Sequence, residues 1–193
     1  TDDVFHFPTC GVAGFEVEVK NQAFDGLLPA LQRGKIDLII AGMTVTDERK
    51  KAVDFSESYY TASQVIIVPA DNAAIKSFDD LKGKNVGVQI GTTGDTVISE
   101  IKEITNTKYN NGSEAVLALT TQKVDAVVID NEPAKNFVAK NTGLKVVDTG
   151  AVKEDYAIAI AKGNKELLDK VNTGLKTLKE NGKYDELIAK WFK

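Results

Sequence analysis

Hydrophobic and polar positions change their rhythm several times along the chain, and each change marks an element. "KIDLIIAG" (35–42), "KNVGVQI" (84–90) and "KVDAVVID" (123–130) are short, nearly continuous apolar runs. Each leads into a polar turn and then a helical pattern: "MTVT" and "DERKKAV", "GTTGD" and "TVISEIKEI", "NEP" and "AKNFVAKN". Short β-rich runs alternating with helices predict parallel α/β sheets. Their near-continuous apolar character suits strands buried on both faces. In such sheets ligands collect at the carboxyl ends of the strands, which places the interest in the three polar turns.

Two further segments, "YYTASQVIIVPADN" and "EDYAIAIAKGN", alternate as extended chain does, and a self-contained run lies between them. The pattern predicts a chain that leaves one lobe and later returns to it. Lobe 1 is expected to comprise residues 1–67 and 158–193, and lobe 2 residues 68–157, with a hinged cleft between them. The ending "NKELLDKVNTGLKTLKENG" and "KYDELIAKWF" carries apolar residues at helical spacing, with Gly182 as a C-cap between two helices.

Composition narrows the classes. Hydrophobic residues are 42% and charged residues 27% of 193, an ordinary globular balance. No apolar run reaches the roughly 18 residues of a membrane span. A net charge of −4 with scattered lysines offers no general attraction to nucleic acid. The single cysteine, Cys10, excludes an intrachain disulfide and a thiolate zinc cluster. "TDDVFHFPTC" has neither a basic start nor a long apolar stretch, so any export signal is expected to have been removed. His6, between two phenylalanines, reads as structural, and no metal or cofactor is expected.

The turns can then be read as chemistry. Thr46 reads as an N-cap with Asp47 and Glu48 at the positive end of the helix, yet Arg49 follows in the same turn, at the unfavourable end for a cation. A guanidinium there can offer a two-pronged donor to a carboxylate. Its plainer alternative is a surface pair with Asp47, Glu48 or Asp54. "GTTGD" opens a helix whose free N–H groups suit an anion, with Thr92 and Thr93 adding hydroxyls. Asp130 ends its strand, where it could hold an ammonium group or merely cap the next helix. Two anion-seeking elements and one cation-seeking element describe the backbone end of a free α-amino acid.

On these residues the sequence resembles the extracytoplasmic amino-acid-binding proteins of ABC importers, in the polar amino-acid group that includes glutamine- and arginine-binding proteins. "AFDGLLPALQRGKIDLIIAGMTVTDERKKAVDFSESYY", "VGVQIGTTGD", "VDAVVIDNEPA" and "LKENGKYDELIAKWF" carry the resemblance over nearly the whole chain from Phe15. It implies a two-lobed periplasmic-binding-protein-like α/β fold (type II) that closes on its ligand. It further implies that Arg49, Thr44 and Thr93 take the ligand carboxylate, and that Asp130 and the backbone of Gly42 take the amino group. Phe24 and Phe5 would pack on the ligand, and Asp2 and Gln89 would address its side chain. The implied partners are an amino acid and the membrane subunits of an ABC transporter. The protein is expected to be a periplasmic or extracellular monomer, tethered as a lipoprotein where the full-length form carries an anchor.

The start departs from the family pattern. "TDDVFHFPTCGVAGFEVEV" is too short for the crossover helix a parallel unit needs, so the N-terminal lobe is expected to be incomplete. Gln89 favours glutamine as ligand, and Asp2 favours arginine, which ranks second. Two other classes stay open: a sensor or receptor ligand-binding domain, and a dehydratase acting on an amino-acid precursor. No nucleophile elbow, metal-ligand spacing or phosphate loop supports catalysis.

Overall fold

The computed structural model describes Gly14 and residues 16–191. In chain order, a one-turn 3-10 helix (Phe24–Gly26) is followed by α1 (Leu27–Gln32), β1 (Leu38–Ile39), α2 (Asp47–Ala52), β2 (Val53–Phe55) and β3 (Tyr60–Pro69). Next come β4 (Asn85–Gln89), α3 (Thr93–Glu100), β5 (Thr105–Tyr109), α4 (Gly112–Thr120), β6 (Ala126–Asp130) and α5 (Asn131–Lys140). The chain ends with β7 (Leu144–Val147), β8 (Lys153–Tyr156), β9 (Ala159–Ala161), α6 (Lys165–Glu180) and α7 (Lys183–Trp191).

These elements form two compact units. The first holds Gly26–Thr61 and the chain from Asp155 onward, with the described residues before Ala23; the second holds Ala62–Glu154 with Ala23–Asp25. The chain therefore changes unit inside β3 and again inside β8, a few residues before the expected 67–68 and 157–158. β3 and β8 pair with each other, and Thr61 Oγ1 donates to Asp155 Oδ1 at 2.9 Å.

The first unit is built on a three-stranded sheet, β1-β9-β2, in which both pairings are antiparallel. Leu38 and Ile39 lie opposite Ile160 and Ala159, and Val53 lies opposite Ala161. Among the described residues the parallel arrangement expected around "KIDLIIAG" does not occur. The central strand arrives from an extended return segment instead of a helical crossover, so nothing imposes a parallel sense. α6 buries Val171, Leu175 and Leu178 along one stripe, as the helical spacing required.

The second unit carries a six-stranded sheet in the order β5-β4-β6-β3-β7, with β8 also on β3. β5, β4 and β6 are parallel, while β3 runs antiparallel to β6 and β7. The apolar runs feed both faces by simple alternation. Val65, Ile67, Val127 and Ile129 pack with Val116 and Leu119 of α4 on one face. Ile66, Val68, Ala126 and Val128 pack with Ile98 of α3 on the other. The same alternation puts Gln64 and Asp130, directly opposite in the β3–β6 register, on the α3 face.

Candidate functional site

In the first unit the expected residues Gly42, Thr44 and Arg49 follow β1. Gly42 has φ +59°, and a Cβ on it would stand 3.2 Å from the Tyr156 ring, so both backbone and space call for glycine. Its N–H donates to the Tyr59 hydroxyl at 3.1 Å. Tyr59 is fully buried, and burial pushes its phenol far above the ordinary value despite the Gly42 bond. The Tyr59 carbonyl accepts from the hydroxyl of Tyr184 on α7. With its N–H committed, Gly42 retains its carbonyl as the backbone group that an ammonium could meet.

Thr44 is buried and forms an isolated antiparallel bridge with Tyr156. Val45 N–H to Asp155 O (2.8 Å) and Ala157 N–H to Met43 O (3.1 Å) fix that stretch. The Thr46 hydroxyl caps α2 by accepting the Arg49 N–H at 3.1 Å. α2 is only six residues long, so Arg49 also belongs to its last turn, and the expected dipole conflict largely disappears. The guanidinium Nη1 donates to Thr44 O at 2.7 Å. Two of the surface acids proposed as its partners are engaged elsewhere: Asp54 with Lys162 at 2.8 Å, and Asp47 with Lys50 at 3.5 Å.

In the second unit, β4 ends at Gln89 and the chain turns into α3. Thr92 is the N-cap: its hydroxyl accepts the Asp95 N–H at 3.3 Å and donates to Gln89 O at 2.8 Å. The hydroxyl expected to serve a ligand is thus committed inside the loop. The N–H groups of Thr93 and Gly94 make no hydrogen bond among the described residues, and these are the donors a helix start offers an anion. The Gln89 side chain is half-buried and likewise makes no hydrogen bond among the described residues.

Asp95 braces this turn. Its carboxylate accepts from Gly91 N–H (3.1 Å), Ser99 Oγ (3.1 Å) and Asn106 Nδ2 (3.0 Å), and pairs with Lys108 Nζ at 2.9 Å. Burial alone would raise its pKa, but Lys108, the Gly91 N–H and Asn106 together hold it below the ordinary carboxylate value. Lys108 and Asn106 come from β5, and sequence reading did not connect them with the loop. The alternating polar residues of "TNTKY" were the available signal.

Asp130 occupies the N-cap position of α5 but makes no capping bond with its side chain. It accepts instead from Nε2 of Gln64, which also donates to Thr93 Oγ1 at 3.0 Å. The Thr93 hydroxyl in turn donates to Glu154 Oε2 at 2.6 Å. Gln64 and Glu154 were missed in the sequence, where Gln64 is the one polar residue opening the apolar run "QVIIV". Phe24 lies half-buried in the 3-10 turn. Asp2 and Phe5 lie outside the described residues. No group of three or more His, Cys, Asp or Glu among the described residues could hold a metal ion.

Strand-end carboxylate, helix-start donors and a capped arginine are the parts a solute receptor needs, and they occur here in a chain whose residues 9–193 match the bacterial extracellular solute-binding proteins, family 3. The chain belongs to that family. The arginine-binding extracellular protein ArtP of Bacillus subtilis (strain 168) is 38% identical over 186 residues, which cover 93% of this chain and 72% of that protein. An ancestral arginine-binding protein bound to arginine is similar in structure, with TM-score 0.92 and 46% identity over 96% of this chain and 84% of that one. An ancestral arginine-binding protein bound to glutamine matches with TM-score 0.93 and 46% identity, over 99% of this chain and 86% of that one. These relatives are named as solute-binding proteins and not as enzymes. The chain spans 72% of the length of ArtP and 84% of the arginine-bound ancestral protein.

Proposed function

We propose that this family 3 protein binds a free polar L-amino acid and delivers it to an ABC transporter outside the cytoplasm. One observation carries the reading. Within the second unit, a carboxylate suited to an ammonium and helix-start donors suited to a carboxylate are joined through a single buried amide. That spacing of opposite preferences matches a zwitterion better than a simple anion or cation. Arg49, Thr44 and the Gly42 carbonyl of the first unit and Phe24 of the second are further candidate ligand groups. No helix among the described residues is long and apolar enough to cross a membrane.

Glutamine and arginine are the two candidate ligands. The uncommitted Gln89 side chain supports an amide ligand, and the names of the relatives support arginine. Thermal denaturation with each of the twenty amino acids tests the reading. A ligand at about 100 times its Kd should stabilise the protein by roughly 2.7 kcal/mol. No shift at millimolar concentration of any polar amino acid would overturn it.

A further inference from the structure

We propose that Gln64 is the positioning residue of this site, its amide fixing Asp130 and Thr93 as one rigid element whose carboxylate and Thr93 backbone N–H address the ammonium and carboxylate common to all free amino acids. The inference rests on the functional reading above. Gln64 is 3% exposed and sits directly across the β3–β6 ladder from Asp130. A primary amide has two hydrogens. Here they go to Asp130 Oδ1 and to Thr93 Oγ1 at 3.0 Å, with Glu154 Oε2 a further 3.5 Å neighbour of the same nitrogen.

The other end of the amide shows what that arrangement overrides. Gln64 Oε1 is buried and has no hydrogen-bond partner among the described residues. A buried carbonyl in that state destabilises a fold. Flipping the amide would not help, because Oε1 would then face the Asp130 and Glu154 carboxylates. The oxygen lies instead against Gly94, where an added Cβ would come within 2.9 Å of it and 3.3 Å of Val128 O. Glycine at the second position of α3 therefore lets the helix start approach β3 and β6 closely enough for one amide to span Thr93 and Asp130. An apolar residue at position 64 would fill the same face without an orphaned carbonyl, yet it would leave Asp130 and Thr93 unlinked.

Calorimetry with L-arginine and L-glutamine on the full chain and on Gln64→Met tests this. Methionine keeps the length of the side chain and removes both donors. Affinity for whichever of the two ligands the parent binds should fall about ten- to hundredfold, and by the same factor where both bind. Melting temperature should stay level or rise, since the orphaned carbonyl leaves with the amide. Gln64→Glu, which adds a third carboxylate, should lose more. Unchanged affinity, or loss confined to one of two bound ligands, would overturn the proposal. Should Gln64→Met not fold, the parent still answers: slow exchange of the Gln64 side-chain amide protons supports the bridge, and fast exchange overturns it. If the parent binds neither these nor any other amino acid, the functional reading fails first and this inference falls with it.

Discussion

Two strand–turn–helix corners, residues 42–52 in the first unit and 89–100 in the second, are capped alike and anchored differently. In both, a threonine hydroxyl accepts a backbone N–H from the residue three positions on, Thr46 from Arg49 and Thr92 from Asp95. The first corner is then fastened by neutral groups: the Gly42 N–H on the buried Tyr59 hydroxyl, and backbone bonds beside Tyr156. The second is fastened by a buried charge, the Asp95 carboxylate with Lys108, Asn106, Ser99 and the Gly91 N–H. Identical caps thus say little about what holds a turn in place. The difference also separates the corners in their response to pH and to substitution.

The largest expected effect concerns the charge that the first corner presents. On the functional reading, Arg49→Ala leaves the ligand carboxylate unpaired, which costs about 3–5 kcal/mol of binding, on the order of a hundredfold to several thousandfold in Kd. Arg49→Lys should recover only part, because an ammonium lacks the fork. Calorimetry beside a melting curve checks it. Lost affinity with an intact fold agrees with the reading, and unchanged affinity makes Arg49 a structural residue.

Next comes the brace of the second corner. Asp95→Ala strips partners from the Gly91 N–H, Asn106 and Lys108, and should destabilise the fold by about 2–3 kcal/mol. Denaturant titration reads this directly. The sign of its pH dependence follows from the lowered pKa of Asp95. Its stabilisation is fully present above the unfolded aspartate value of about 3.9. It is lost as pH falls through the lowered folded value. Parent and variant stability curves should therefore converge only in strong acid; parallel curves down to that range would mean that Asp95 contributes no linked proton.

Gly42→Ala tests the neutral anchor. A non-glycine residue at φ +59° costs roughly 1–2 kcal/mol, and the 3.2 Å approach to Tyr156 adds to it. A melting temperature equal to the parent's would show that the corner relaxes freely. The smallest effect belongs to Tyr59→Phe, which removes the acceptor of the Gly42 N–H for about 1 kcal/mol. Because burial raises the Tyr59 pKa, the neutral phenol's contribution is full below the unfolded value near 10 and declines as pH rises toward the folded one. The two corners should therefore fail at opposite ends of the pH scale. Ultraviolet titration of the parent beside Tyr59→Phe checks this: one phenol fewer should ionise only late, in step with alkaline unfolding.

What the sequence determined by itself was local. Apolar runs, helical spacing and cap residues produced β3, β4 and β6 of the second unit, Thr46 as an N-cap and Asp130 at a strand end. Short-range geometry decides each of these within a few residues. The direction of strand pairing was not legible, since alternation reports which face is buried and not which neighbour runs which way. That is why the first unit's sheet is antiparallel where a parallel one was expected. Nor could spacing reveal that Gln64 would meet Asp130 across 66 residues, or that Lys108 would reach back to Asp95. Only the tertiary structure decides those contacts, because they depend on sheet order and on how closely α3 approaches the strands, quantities set by packing between segments remote in sequence.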